Sequence, residues 1–94
     1  MITNLVPKTD SEIIELLLQH AGLEYIYRVQ PIPEQDLPHL QLVKTGWDVY
    51  RKDSGRIVGS IILMVDGTTY AGNGQDVDTY PTLTQAIVSA VWSW

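Results

Sequence analysis

Residues 56–65 limit the fold most, because this stretch is apolar on both sides of an extended strand. In a strand of period two, one side carries Ile57, Ile61, Leu63 and Val65, and the other carries Val58, Ile62 and Met64. This pattern is typical of a strand that is covered on both faces. A C-terminal helix can cover one face. The other is covered by the first helix in a three-layer domain, by the Pro-rich segment 31–39, or by a second protein molecule, most simply in a two-fold homodimer.

Turn sequences on both sides of this strand predict a meander. Lys52-Asp53-Ser54-Gly55 separates it from a strand at 47–51, and Asp66-Gly67 separates it from a strand at 68–70. Asp-Gly favours a type I′ turn, in which both central residues have positive φ. We therefore predict three antiparallel strands, and Asn73-Gly74 can turn the chain into a short fourth strand around 75–79.

The first helix is predicted over about 10–21. Thr9-Asp10-Ser11-Glu12 has the form of a capping box, and Gly22 suits the C-terminal cap. Six apolar side chains cover about 200° of the helix, which is wider than the stripe of an ordinary surface helix. They are Ile13, Ile14, Leu16, Leu17, Leu18 and Ala21. We expect this helix to contact more than one surface.

A second capping box, residues 82–85, predicts a helix that runs to about the C-terminus. Its apolar stripe consists of Leu83, Ala86, Ile87, Ala90, Val91 and Trp94. Between the helices, residues 23–30 alternate like a strand, and three prolines make 31–39 an extended loop. The predicted fold is α+β: a single domain over residues 1–94, with an antiparallel sheet of three to four strands and an N-terminal and a C-terminal helix packed on the sheet.

Composition excludes several classes of function. The 94 residues include no cysteine, which rules out a thiol nucleophile, cysteine-ligated zinc and a disulfide framework. The longest apolar run, 61–65, is far shorter than the roughly 20 residues that span a bilayer. A net charge of −5 argues against a broad nucleic-acid-binding face. We expect a cytoplasmic, non-enzymatic protein with no cofactor and no membrane partner.

Motifs for catalysis and metal binding are incomplete. Residues 67–72 have the glycine spacing of a phosphate-binding loop but lack its lysine. The loop that contains Asp76 and Asp78 lacks the glutamate of a calcium loop. His20 lies within the apolar arc of the first helix. Its side chain is either partly buried near the helix end, or it acts as a pH-sensitive contact or a catalytic base. We predict no catalytic, cofactor or metal site.

Apolar and aromatic side chains are the best candidates for contact with a partner. Trp92 lies about 180° from Leu83 around the second helix, away from the core, and tryptophan is enriched at binding hot spots. The candidate partner-binding residues are Trp92, Val58, Ile62, Met64, Tyr25 and Tyr27. These two tyrosines, with Trp47 and Tyr50, can equally belong to the core or to the rim of a contact surface.

Nucleic-acid binding is the alternative. Arg51, Lys52 and Arg56 place half of the chain's six basic residues at one hairpin tip, beside Trp47 and Tyr50. A three-stranded sheet with a helix behind it resembles, in element order, small domains that place such a sheet on nucleic acid. Three charges are few for such a partner, so a solvated turn competes with this interpretation.

Overall fold

The computed structural model describes residues 9–37, 42–73, 76–91 and 94. Its helices are α1 (Asp10–His20), a 3-10 turn (Glu34–Asp36) and α2 (Leu83–Ser89). Its strands are β1 (Tyr27–Pro31), β2 (Val43–Arg51), β3 (Ile57–Met64), β4 (Thr69–Gly72) and β5 (Val77–Tyr80). The α+β class and the order of the elements are confirmed.

Both helices begin where the capping boxes predict. The Thr9 hydroxyl accepts a hydrogen bond from the Glu12 amide at 3.2 Å, and the Thr82 hydroxyl accepts one from the Gln85 amide at 3.1 Å. Such caps satisfy amides that have no partner within the helix. α1 ends before Gly22. This glycine has a φ of 72°, in agreement with the predicted C-terminal cap. α2 ends at Ser89, earlier than predicted.

The five strands pair antiparallel in chain order, β1-β2-β3-β4-β5. The predicted three to four strands were too few, because β1 pairs with β2 and the short β5 pairs with β4. β1 also begins later than the predicted residue 23. The Leu23 carbonyl accepts hydrogen bonds from the amides of Ile26 and Tyr27, both at 3.0 Å, and so closes a turn where a strand was predicted.

The β3–β4 turn differs from the predicted type I′. Gly67 has a φ of 96°, but no described residue other than glycine has a positive φ, so Asp66 does not. The Gly67 amide donates to the Met64 carbonyl at 3.1 Å, and the Met64 amide donates to the Thr68 carbonyl at 2.8 Å. This is a three-residue loop in which the glycine alone takes the left-handed conformation.

Both helices cover the same face of the sheet. Ile14 of α1 and Ile87 of α2 belong to one buried cluster with Trp47 and Ile61, which are cross-strand partners on β2 and β3. The Trp47 indole N–H donates to the Ser11 hydroxyl of α1 at 2.9 Å. The described residues therefore form two layers, and the predicted alternative of α1 on the second face is wrong.

A bulge exchanges the sides of two β3 residues. Val49 pairs with Gly59, but the next residue, Tyr50, pairs with Ile57, so Val58 is the extra residue. Val58 packs against the core, and Ile57 is 54% exposed on the other face. The predicted sides of these two residues are therefore wrong, because strict alternation does not continue through a bulge.

Candidate interaction surface

The sheet face turned away from both helices is called the open face here. Cross-strand pairing places twelve described residues on it, not counting the Val43–Met64 pair beyond the irregularity at Lys44. They are Arg28, Gln30, Gly46, Asp48, Tyr50, Ile57, Ser60, Ile62, Tyr70, Gly72, Val77 and Thr79.

A shallow apolar groove crosses the open face. Ile57, Ile62, Tyr70 and Val77 are among its lining residues, and Ser60 lies between the isoleucines along β3. A Cβ atom at Gly72 would lie 2.8 Å from Val77 Cγ2, so glycine at this position allows Val77 to lie close over β4. The groove therefore combines a small hydroxyl side chain with larger apolar side chains around it.

The larger side chains of the groove are open to solvent. Val77 is 63% exposed and Tyr70 is 37% exposed, in addition to Ile57. Ile62 is half-buried, since its Cδ1 atom lies only 2.7 Å from the place that a Cβ of Gly46 would take. A contiguous apolar patch of this kind is the usual mark of a contact surface.

The charges on the open face sum to zero. Arg28 and Asp48 are the charged residues among the twelve. The Arg28 guanidinium lies 4.8 Å from the centre of the Tyr50 ring and donates to the Gln30 side chain at 3.1 Å. The Asp48 carboxylate accepts a hydrogen bond from the Ser60 hydroxyl at 2.8 Å. In a chain of net charge −5, this face is neutral and poor in charge, as the centres of protein interfaces are.

The end of the sheet beside the β2–β3 turn is basic. Arg51 binds Asp53 through two contacts of 3.1 Å, and this hydrogen bonding raises the pKa of Arg51 and lowers the pKa of Asp53. Within the described ranges, Lys52, Arg56 and Arg28 form no ion pair. With Arg28, four of the six basic residues lie at this end.

The structure separates the three β3 residues that were predicted to bind a partner. Ile62 lies on the open face, whereas Val58 packs against the core. Met64 is buried at the end of β3, outside the main core cluster. Ile62 and Val58 are both among the residues that line the groove, and Met64 is not.

The aromatic candidates also differ in placement. Tyr25 is 80% exposed in the turn before β1, and Tyr27 is a buried core residue. Trp92 lies outside the described residues. Of the aromatic residues beside the basic turn, Trp47 is buried under α1, and Tyr50 lies on the open face. The core alternative therefore holds for Tyr27 and Trp47.

The sequence patterns do not mark four residues of the open face as partner-binding: Arg28, Ile57, Tyr70 and Val77. The alternation of 23–30 places Arg28 on the other side of the strand from Tyr27. The predicted two-residue Asp-Gly turn would pair Tyr70 with Leu63 on the helix side, whereas the observed three-residue loop pairs it with Ile62 on the open face. No local signal marks the bulge that turns Ile57 outward, since a bulge is defined by pairing with another strand.

The predicted alternatives for His20 assumed that it lies within the apolar arc of α1. Its side chain is instead exposed at the end of this helix. The buried positions of α1 are Ile14 and Leu18, and Leu16 is largely exposed, so the buried stripe is narrower than the 200° arc. Asp76 and Asp78 are exposed near the start of β5. The described residues include no group of three or more His, Asp or Glu side chains that could hold a metal ion.

None of the described helices is long and apolar enough to cross a membrane. Comparisons with protein-family models, with curated proteins and with solved structures found no match. The chemistry and geometry of the open face are therefore the features that bear on function.

Proposed function

We propose that this is a small, cytoplasmic, non-enzymatic interaction protein that self-associates or binds another protein through its open face. The observation that carries the proposal is that both helices pack on one side of a five-stranded sheet. The other side retains exposed Ile57, Tyr70 and Val77 around a groove. Burial of apolar area is the main driving force of protein association.

The two sheet edges support the face, rather than an edge, as the contact surface. β1 carries Arg28 and ends in Pro31, which has no amide hydrogen to donate. On β5, Asp78 pairs with Ala71 and so points to the helix side of the sheet. Charged residues and proline at these positions discourage the addition of a further strand.

The groove fits a protein better than a small metabolite. It is open and lined mainly by aliphatic side chains and tyrosine. Among the described residues, no buried side-chain nitrogen or oxygen lacks a hydrogen-bond partner. A small-molecule site usually encloses its ligand and supplies a few converging polar groups.

Photo-crosslinking tests the proposal. The photoreactive residue p-benzoylphenylalanine replaces Tyr70 on the open face or, as a control, the exposed Thr84 on α2. In cells that contain the protein, we expect a protein adduct from position 70 and none from position 84, and mass spectrometry then identifies the adduct. If position 70 gives no adduct, the same residue is placed at Ile57 and at Val77, which are also exposed on the open face. Absence of a protein adduct from all three positions would refute the proposal.

A second candidate function is nucleic-acid binding at the basic end. Arg28, Lys52 and Arg56 form no ion pair within the described part of the chain, and the Tyr50 ring under Arg28 provides an aromatic platform beside them. Single-stranded nucleic acid binds to such combinations of cations and aromatic rings.

Fluorescence anisotropy tests this candidate with labelled oligo(dT) and oligo(U). Binding has to weaken steeply as salt rises, and to disappear when Lys52 and Arg56 become glutamine. Binding that changes neither with salt nor with the two substitutions eliminates this candidate, and so does an absence of binding at low salt.

A further inference from the structure

We infer that the open face binds a second copy of this chain, in a two-fold dimer in which the two sheets pack face to face. This inference rests on the proposed function and names the partner. It depends on three features of the described residues: sheet edges that discourage the addition of a strand, the balance of charge on the open face, and the area of that face.

The charge balance favours a second copy over a strongly charged partner. The open face carries one cation, Arg28, and one carboxylate, Asp48, on neighbouring strands. A polyanion would approach Asp48, and a polycation would approach Arg28. A second copy supplies one charge of each sign. A two-fold axis places the same set of groups on both sides of the interface.

The area of the face is sufficient for a weak dimer. The five strands contain thirty residues, and at roughly 16 Å² per residue from strand rise and spacing the sheet covers about 480 Å². Two faces together approach the ~1,000 Å² that a specific interface needs. We therefore expect a dissociation constant in the micromolar range and a monomer–dimer equilibrium that depends on concentration.

Sedimentation equilibrium of the purified full chain, from low micromolar to submillimolar concentration, tests the inference with a matched pair of variants. Val77 lies on the open face and is 63% exposed, and Val88 lies on α2 and is 49% exposed. Val77→Lys is expected to weaken the dimer by about tenfold or more, because it places a solvated cation in the apolar contact. Val88→Lys adds the same charge and is expected to leave the dimer unchanged.

Charge reversal provides an independent test. Arg28→Glu is expected to weaken dimerisation by roughly tenfold, because each face then carries two carboxylates. Adding Asp48→Lys to Arg28→Glu returns the face to neutrality and is expected to restore the dimer. Lys52→Glu makes the same change of net charge in the turn, and we expect it to have little effect.

Three outcomes overturn the inference: a monomer at every concentration, equal effects of Val77→Lys and Val88→Lys, or equal effects of Arg28→Glu and Lys52→Glu. Circular dichroism verifies that each variant is folded. If Val77→Lys does not fold, Thr79→Lys and Thr84→Lys form the replacement pair, since both threonines are exposed. A monomer whose position 70 crosslinks to a different protein refutes the dimer and supports the proposed function, whereas no adduct at all refutes both.

Discussion

Gly59 is a residue that the core requires to be small. A Cβ atom there would lie 2.5 Å from Cη2 of Trp94 and 2.6 Å from the Gly72 carbonyl oxygen. Trp94 packs on the core through this contact, beside the last turns of α2. The absence of a side chain at one strand position thus allows an indole ring to cover the helix side of β3.

We predict that Gly59→Ala lowers the free energy of unfolding by about 1–3 kcal/mol, as is usual when a packed core receives an extra methyl group. Urea unfolding followed by circular dichroism measures the change. In a Trp94→Ala background, Gly59→Ala should lower the free energy of unfolding by less, because two of the three closest contacts of the new Cβ atom are gone. Strict additivity of the two substitutions would contradict this explanation.

Ser11 provides a polar link between α1 and the sheet through its hydrogen bond from Trp47. Ser11→Ala leaves the indole N–H without that acceptor, and we expect it to cost about 1 kcal/mol of unfolding free energy. Ser89→Ala, at an exposed helical position of α2, is the control. A thermal unfolding series that ranks the two variants equally would show that the bond contributes nothing to stability.

The elements of the fold differ in how far the sequence determines them. Helix starts depend on contacts three residues apart, such as Thr9 with Glu12, so local sequence predicts them. The bulge at Val58 depends on pairing between β2 and β3, and the entry of β1 into the sheet depends on contacts about twenty residues away. These non-local contacts explain why the strand count and the side of Ile57 were predicted wrongly.

The β3–β4 turn has a testable dependence on pH. The Asp66 carboxylate accepts a hydrogen bond from the Thr68 amide at 2.9 Å, and this bond lowers the pKa of Asp66. A lowered pKa in the folded state means that the contribution of the carboxylate is present above its ordinary pKa and is lost as the pH falls through the folded value. Asp66→Ala should therefore destabilise the protein more at about pH 6 than at about pH 2.

Gly67→Ala is the control for that measurement. It acts on the same turn through backbone strain, because the φ of 96° is unfavourable for alanine. Its effect on the unfolding midpoint should be the same at both pH values. A difference between wild type and Asp66→Ala that does not change with pH would assign the effect of Asp66 to something other than its charge.

At the scale of the whole molecule, the fold is a sheet with helices on one side only. One core cluster joins α1, α2 and the inner sides of β1 to β4. The sequence predicted that residues 56–65 need cover on two faces, but it left open whether α1, the Pro-rich segment 31–39 or another molecule supplies the second cover. That choice depends on how α1 packs against α2, which is a property of the assembled chain.

The two-layer arrangement predicts that two isoleucines of β3 differ sharply in their contribution to the free energy of unfolding. Ile61 is fully buried under the helices, so Ile61→Ala should cost about 2–5 kcal/mol of unfolding free energy. Ile57 faces solvent on the open face, so Ile57→Ala should change the value by about 0.5 kcal/mol or less in the monomer. Chemical unfolding at low protein concentration measures both, and similar losses would show that the second face is covered within the chain.

The position of Trp47 has a spectroscopic consequence. Its indole ring lies between α1 and the sheet, and Trp94 also packs on the helix side, whereas the aromatic residues assigned to the open face are Tyr50 and Tyr70. In a Trp92→Phe variant, which leaves Trp47 and Trp94 as the tryptophans of the chain, emission therefore reports whether the helices are docked. A fluorinated tyrosine at position 50 or 70 would give a fluorine NMR signal for the opposite side of the same sheet, so folding and recognition can be followed separately in one sample.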